Sequence, residues 1–192
     1  MKAQGDNFDA SWRKRCTVSP ISRAQGEPFI RAHYLGKWPG VCVLTLGMFV
    51  DAWLQGCIVF ALPPRETAKR YGGETWELAR LFIDDSVPRN AETWLIAQAV
   101  KWIKSRRSEV RYLVSYADPS AGHLGVIYRA ANWKQDGHTD QERKTPRFDY
   151  AANGKTYSRR SHVPESEVNR LVKVPRVSKA RFYLALVKGG FK

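Results

Sequence analysis

Apolar and polar positions along the 192-residue chain change period several times, and each change marks an element. Two strongly apolar runs, Val41 to Val50 and Trp53 to Leu62, are joined only by Asp51-Ala52. Such close spacing of β-rich segments predicts an antiparallel hairpin, with Gly47 and Gly56 marking bulges or close backbone approach. Upstream, Arg15 to Val18 starts a strand, and Ile21 to Leu35 carries a broken helical pattern through Phe29, Ile30, Ala32 and Tyr34, closed by Gly36 and Pro39. That pattern predicts a helix ending at His33-Tyr34. Pro63 to Gly73 is polar, with room for one helical turn. Thr75 to Ile83 then sets Trp76, Leu78 and Phe82 against Glu77 and Arg80 as a strand does, and Asp84 to Asn90 turns into a helix over Ala91 to Lys104.

A second strand-loop-helix follows. Tyr112, Leu113, Val114 and Tyr116 form an apolar strand that breaks at Ala117-Asp118-Pro119, and a helix then groups Leu124, Ile127, Tyr128 and Ala131 on one face before Trp133. Tyr128 is thereby placed near the end of a buried helix, beside a strand tip. Lys134 to Lys155 is polar and turn-rich, and Phe182 to Val187 closes the chain with a strand. Two β-α units after a hairpin predict a mixed sheet covered by helices on both faces, of α/β or α+β class. The expected organisation is a loose tail over 1–12, a catalytic domain over 13–140 and a basic extension over 141–192 packed on that domain.

Charge adds a partner to this outline. Lys and Arg exceed Asp and Glu by 32 to 18, a formal charge of +14. From Lys134 onward there are fourteen Lys or Arg against six acids, a net of +8, so the last third carries over half the excess. Cations concentrated in this way gain by releasing counterions condensed on a polyanion, which points to nucleic acid. Three scattered cysteines, Cys16, Cys42 and Cys57, show no metal-like spacing and argue for a reducing compartment. With no apolar run near the ~18 residues a membrane span needs and no signal-like N-terminus, a soluble cytoplasmic protein is expected.

The paired blocks ELARLFIDDSVPRNAETW and VSYADPSAGHLGVIYRAANW resemble the phage Mom family, GNAT-related proteins that convert adenine in DNA to its N6-carbamoylmethyl form and shield phage DNA from restriction. His33-Tyr34 is similar to a His-Tyr pair that the family carries ahead of its first hairpin. The likeness covers roughly Arg31 to Trp133. It implies a GNAT-like splayed sheet, with donor and acceptor meeting where the fourth and fifth strands part, double-stranded DNA as partner, and the host cytoplasm as location if the chain is phage-encoded. Position by position it points to His33, Tyr34, Arg80, Thr93, Ser115, Asp118 and Tyr128.

Each of these residues has chemistry of its own and an ordinary alternative. Tyr128 is suited to donate a proton to a leaving group, and Asp118 to orient or deprotonate an amine; a tyrosine on a helix face is otherwise a core aromatic, and an Asp before Pro119 a turn or helix cap. Arg80 is suited to clamp an anionic donor, or to pair with Glu77 or Glu92. Ser115 fits a strand as a small residue, and Thr93 a helix start. His33 and His123 lack ligand spacing, so no metal site is read. A duplex adenine must be extruded to be reached, which needs a stacking surface; Tyr34, Trp38, Trp94 and Trp133 are candidates, with Tyr34 and Trp38 ranked above Trp94, which lies on its helix's apolar stripe.

The donor stays open. Acetyltransferases of this fold carry a glycine-rich pyrophosphate loop before the helix, whereas Val87-Pro88-Arg89-Asn90-Ala91-Glu92 has no glycine; Arg89 and the helix start remain to hold an anion. Carbamoylmethyl adenine also has its new bond to a methylene carbon, which acyl transfer alone does not make. An acyl-coenzyme A, an activated glycine rearranged after transfer, or another small-molecule electrophile all stand. Competing readings are a conventional acyltransferase acting on a small amine, protein or RNA, and a DNA-binding module without catalysis.

Overall fold

The hairpin organises the fold. In the computed structural model, which describes residues 10–32, 37–72, 74–141, 143–157 and 162–186, β2 (Cys42–Val50) and β3 (Trp53–Ala61) pair antiparallel. Both residues of the connection take positive φ, 48° at Asp51 and 69° at Ala52, the handedness that lets a two-residue turn follow the twist of its strands. Arg15 pairs with Asp51 at 2.5 Å and leads into β1 (Cys16–Pro20), antiparallel to β2. Gly47 and Gly56 are sites of close approach: a Cβ at Gly47 would lie 2.7 Å from Leu54 Cδ1, and one at Gly56 2.9 Å from Ile83 Cγ1. The register with β2 slips beside Gly56, between Met48 and Phe49.

Cross-strand register assigns the helices to opposite faces. Thr45 opposes Val59 and Gly47 opposes Cys57, and this face receives α1 (Arg23–Ala32), whose Ile30 is fully buried with Cys57 and Val59. Gly26 lets α1 come near: its missing Cβ would stand 3.1 Å from Cys57 Sγ and 3.2 Å from Thr45 Cγ2. The alternate positions, Leu46, Met48, Ile58 and Phe60, are equally buried. They share a face with Cys16 and Val18 of β1, against which α3 (Ala91–Arg106) lies, burying Leu95, Ile96, Ala99 and Ile103. Side chains alternate across a strand, so one apolar run serves both layers. Helices on both faces were expected.

The seven-stranded sheet runs β1-β2-β3-β4-β5-β10-β6, with β4 at Thr75–Ile83, β5 at Tyr112–Ala117, β6 at Lys134–His138 and β10 at Ala180–Ala185. Between β3 and β4 lies α2 (Arg65–Tyr71), two turns rather than the single turn expected. The chain forms two compact units: residues 1–115, 126–134 and 183–192, and residues 116–125 and 135–182. In the second, β7 (Phe148–Ala152) is the centre of a small antiparallel sheet between β8 (Lys155–Tyr157) and β9 (Val172–Pro175). Arg176 grips Asp149 through two nitrogens, and Tyr157 donates to the buried Glu167.

Three local expectations are corrected. Leu124 is 64% exposed and precedes α4 (Val126–Ala130), which is only five residues long, so it lies on no buried helix face. Lys134 to His138, expected as turn, is an edge strand held by Arg181 on Asp136 and by Thr139 on Lys179. No periodicity announces it, because its side chains are exposed or half-buried. A 3-10 helix over Ala10–Arg15 reaches into the stretch expected to be loose; Trp12, 2% exposed, packs edge-on against Trp94.

Candidate active site

Strands β4 and β5 pair in parallel only from Thr75 opposite Tyr112 to Glu77 opposite Val114. Both strands continue beyond that point. At the next position the main chain of Leu78 meets a side chain: Ser115 Oγ donates to Leu78 O at 2.8 Å and lies 2.7 Å from the Tyr128 hydroxyl. A serine has one hydrogen and a carbonyl can only accept, so Tyr128 donates to Ser115 and Ser115 to Leu78. Ser115 is 1% and Tyr128 9% exposed. The phenol is therefore mostly enclosed, its hydroxyl directed to the place where the two strands part. Short α4 sets its position. Asn132, at φ 61°, ends that helix, Trp133 N bonds back to Tyr128 O at 2.9 Å, and the indole packs against the phenol ring at 5.4 Å.

Arg80 stands two residues beyond Leu78, past a bulge. Val59 opposes Arg80 while Phe60 opposes Leu78, so Ala79 is the extra residue in β4. The Arg80 guanidinium donates to the Ala79 carbonyl at 2.6 Å and, through Nε, to Lys37 O at 2.9 Å. One of its donors thus tethers the chain leaving α1, while the other closes on the bulge of its own strand. His33 and Tyr34 lie outside the described residues. Trp38, half-buried, packs beside Gly26 and the Ile30 cluster, with the Arg23 guanidinium 5.7 Å from its ring.

The start of α3 holds the other expected donor-site residues. Arg89 is exposed in the preceding turn, and Thr93 half-buried in the first helical turn. Asn90 takes the left-handed conformation and supplies no side-chain cap, so the first amides of a sixteen-residue helix have no acceptor from that residue's side chain. The loop before it is closed on itself: Asp84 accepts from Ser86 N at 2.9 Å and Ser86 Oγ at 2.6 Å, and Val87 N donates to Asp84 O at 3.0 Å. Those hydrogen bonds from Ser86 hold the Asp84 carboxyl below its ordinary range.

Asp118 belongs to the second unit. Its Oδ1 accepts from Ser120 N at 3.1 Å, capping a 3-10 turn over Pro119–Ala121, while Oδ2 pairs with Lys179 Nζ at 2.7 Å. Burial pushes the carboxyl up, but the hydrogen bonds from Lys179 and Ser120 outweigh this and hold it below the usual carboxylate range. A carboxylate so held accepts a hydrogen bond from an amine readily but is a weak base. Among the described residues no three His, Cys, Asp or Glu side chains gather as a metal site.

Sequence reasoning missed Leu78, whose carbonyl ends the relay, and Lys179, the partner of Asp118. No motif marks either. Trp94 is also reassigned: it is half-buried and faces a groove with Trp102, while the helix's buried stripe is Leu95, Ile96, Ala99 and Ile103.

The model of the Mom protein family matches residues 15–184, most of the chain. The chain belongs to the Mom protein family. It is 33% identical over 108 residues to the methylcarbamoylase Mom of Escherichia phage Mu, a match covering 53% of this chain and 44% of that relative, so it spans less than half of the relative's length. Among solved structures, the Bacillus subtilis acetyltransferase in complex with CoA aligns with a TM-score of 0.53 at 13% identity, over 90% of this chain and 99% of that one. Aminoglycoside 6′-acetyltransferase type Ii gives 0.54 at 14%, over 91% and 99%. A GNAT-family acetyltransferase from Streptococcus pneumoniae gives 0.53 at 11%, over 88% and 99%. The Mom-family chain therefore has the GNAT fold. In its β4–α3 loop the Ser86 and Val87 amides are already bonded to Asp84 and Pro88 has none, so the amides at the start of α3 are the ones left to meet an anion.

Proposed function

We propose that this chain is a DNA-modifying transferase that adds a carbamoylmethyl-type group to the exocyclic amine of adenine in double-stranded DNA, protecting phage DNA from host restriction in the host cytoplasm. The observation that carries the reading is the relay from Tyr128 through Ser115 to the Leu78 carbonyl at the end of the β4–β5 pairing, in a chain of the Mom family. The formal charge of +14 supports a DNA partner. No helix among the described residues is long and apolar enough to cross a membrane.

In this reading Tyr128 supplies the proton taken by the donor's leaving group, exchanging Ser115 for that atom as acceptor, and Ser115 holds the phenol in place until then. The amine nitrogen bonds to the donor carbon as the donor's leaving group departs with its electron pair and the Tyr128 proton, and the proton the nitrogen then loses passes to solvent, from which the Tyr128 phenolate is reprotonated. Arg89, Thr93 and the α3 amides hold an anionic part of the donor, and Arg80 keeps the loop after α1 in place beside β4. Trp38, half-buried beside Gly26, offers an aromatic face for the extruded base. The closed loop favours a small or aminoacyl donor over a pantetheine thioester. An N-glycyl adenine is an isomer of carbamoylmethyl adenine, so an activated glycine supplies the right atoms and requires a rearrangement.

The test is to express the protein in bacteria, digest plasmid DNA to nucleosides and search for a heavier deoxyadenosine, with fragmentation to separate the two isomers. A carbamoylmethyl product is expected. Unaltered deoxyadenosine from cells with abundant folded protein overturns the reading, and salt-dependent DNA retention without product would leave a binding module.

A further inference from the structure

One face of the first unit plays no part in the scheme above. Between β1 and α3 runs a groove of about 370 Å³, lined by Cys16, Val18, Trp94, Gln98, Trp102 and Ser105, with Lys101 and Arg106 at its edge. Its volume is in the ~300–1,000 Å³ range of ligand clefts. The α3 residues recur at intervals of three, four and one, so they form a single stripe that borders the buried Leu95-Ala99-Ile103 side of the same helix. Trp12 braces Trp94 from behind, ring centroids 5.4 Å apart at 65°, and the Arg106 guanidinium lies 5.3 Å from the Trp102 ring.

We propose that this groove docks an unpaired DNA strand, its bases stacking on Trp102 and Trp94 and its phosphates meeting Lys101 and Arg106. The assignment of DNA rests on the function proposed above, and the groove shares no residue with the reaction site. Half-buried indoles beside cations are the combination that holds single strands, since every base has a face to stack and every nucleotide a charge to neutralise. Within a duplex the base faces are covered, so only an unpaired nucleotide can use these walls. Extruding an adenine produces such nucleotides next to the target.

The surrounding charge has the right sign. Lys104 extends the basic side of α3, and Arg13 and Lys14 precede β1. Nearby acids are few: Asp51 is paired with Arg15, Glu109 faces Arg107 at 4.0 Å, and Glu92 stands in the first turn of α3, two residues before Trp94 and far from Lys101 and Arg106. Lys104 and Arg106 in the last turn also complement the helix dipole. That role needs neither Lys101 nor two indoles about two turns apart along one groove.

The full chain is titrated with an oligo-dT of ~12 nucleotides, the same length of oligo-rU, and a duplex, following tryptophan quenching and the anisotropy of labelled strands. Trp102→Ala is expected to weaken oligo-dT binding about tenfold, from the loss of one stacked base, and Trp102→Phe to keep most of it. Exposed Lys101→Glu with Arg106→Glu, which leaves the core untouched, is expected to weaken binding and flatten its salt dependence by about 1.4 in log–log slope for two phosphates. Wild-type oligo-dT affinity in both Trp102→Ala and the charge variant overturns the proposal. Equal losses for duplex and oligo-dT, or tenfold preference for oligo-rU, do the same. Nucleoside mass spectrometry on the same proteins separates the two ideas: oligo-dT binding that depends on Trp102 without any modified adenine keeps the groove and removes the activity. Modified adenine with oligo-dT binding indifferent to the groove does the reverse.

Discussion

Replacing Tyr128 with Phe removes one oxygen and leaves the ring in place, which makes the stability and activity consequences separable. The ring contact with Trp133 at 5.4 Å survives, and Ser115 keeps its bond to Leu78 O at 2.8 Å. What disappears is one hydroxyl–hydroxyl bond of 2.7 Å, worth about 0.5–1.5 kcal/mol net. For a chain of this size that lowers the melting temperature by roughly 2–4 °C per kcal/mol. Loss of proton donation, by contrast, slows the chemical step about 10²–10⁴-fold. Ser115→Ala should cost more stability than Tyr128→Phe, about 1–3 kcal/mol, because it deprives both the phenol and the Leu78 carbonyl of a buried partner. The checks are circular-dichroism melting, DNA retention, and the rate at which modified deoxyadenosine accumulates in plasmid DNA. A Tyr128→Phe protein that retains DNA and works at full rate refutes the catalytic assignment. Strict additivity of the two substitutions in stability refutes the relay, since bonded partners couple by about 0.5–3 kcal/mol.

Gly125 has φ +75°, and a Cβ there would run into Cε2 and Cζ of the fully buried Phe182; Gly125→Ala is expected to cost about 2–4 kcal/mol from left-handed strain and overpacking together, measured by chemical unfolding. The Asp118–Lys179 pair gives an acid signature. Because the folded carboxyl lies below its unfolded value, its stabilisation is complete above about pH 4 and is lost as pH falls through the folded value. Lys179→Met should flatten that part of the stability–pH curve, and an unchanged curve would remove the pair from the account. Burial pushes the Cys57 thiol up to about 12, so at pH 8 it carries almost no thiolate. Alkylation followed by peptide mass spectrometry should therefore label exposed Cys42 and spare Cys57 until the protein unfolds.

Much of the fold was legible because it is encoded locally. Val41 to Leu62 announced a hairpin through two apolar runs around two residues, and Thr75 to Ile83 matched its strand to the residue. α3 was foreseen to within two residues of its end. Errors fell where tertiary partners override local pattern. Lys134–His138 is a strand because its neighbour recruits it, and Trp12 is buried because Trp94 covers it. Ser115 and Tyr128 were legible as candidates through the family blocks, and nothing in the sequence described their contact.

The amino-acid sequence alone determined which segments extend, which coil, where the chain turns and that the chain is strongly cationic, since period, turn chemistry and net charge are properties of neighbouring residues or of the whole composition. Tertiary structure decided which groups meet. Ser115 bonds a carbonyl 37 residues away, Arg80 reaches one 43 residues back, Asp118 finds Lys179, and two tryptophans of α3 face a groove instead of the core. Those meetings depend on strand register and on which face of a strand or helix each side chain takes, and a shift of a single residue would reverse them.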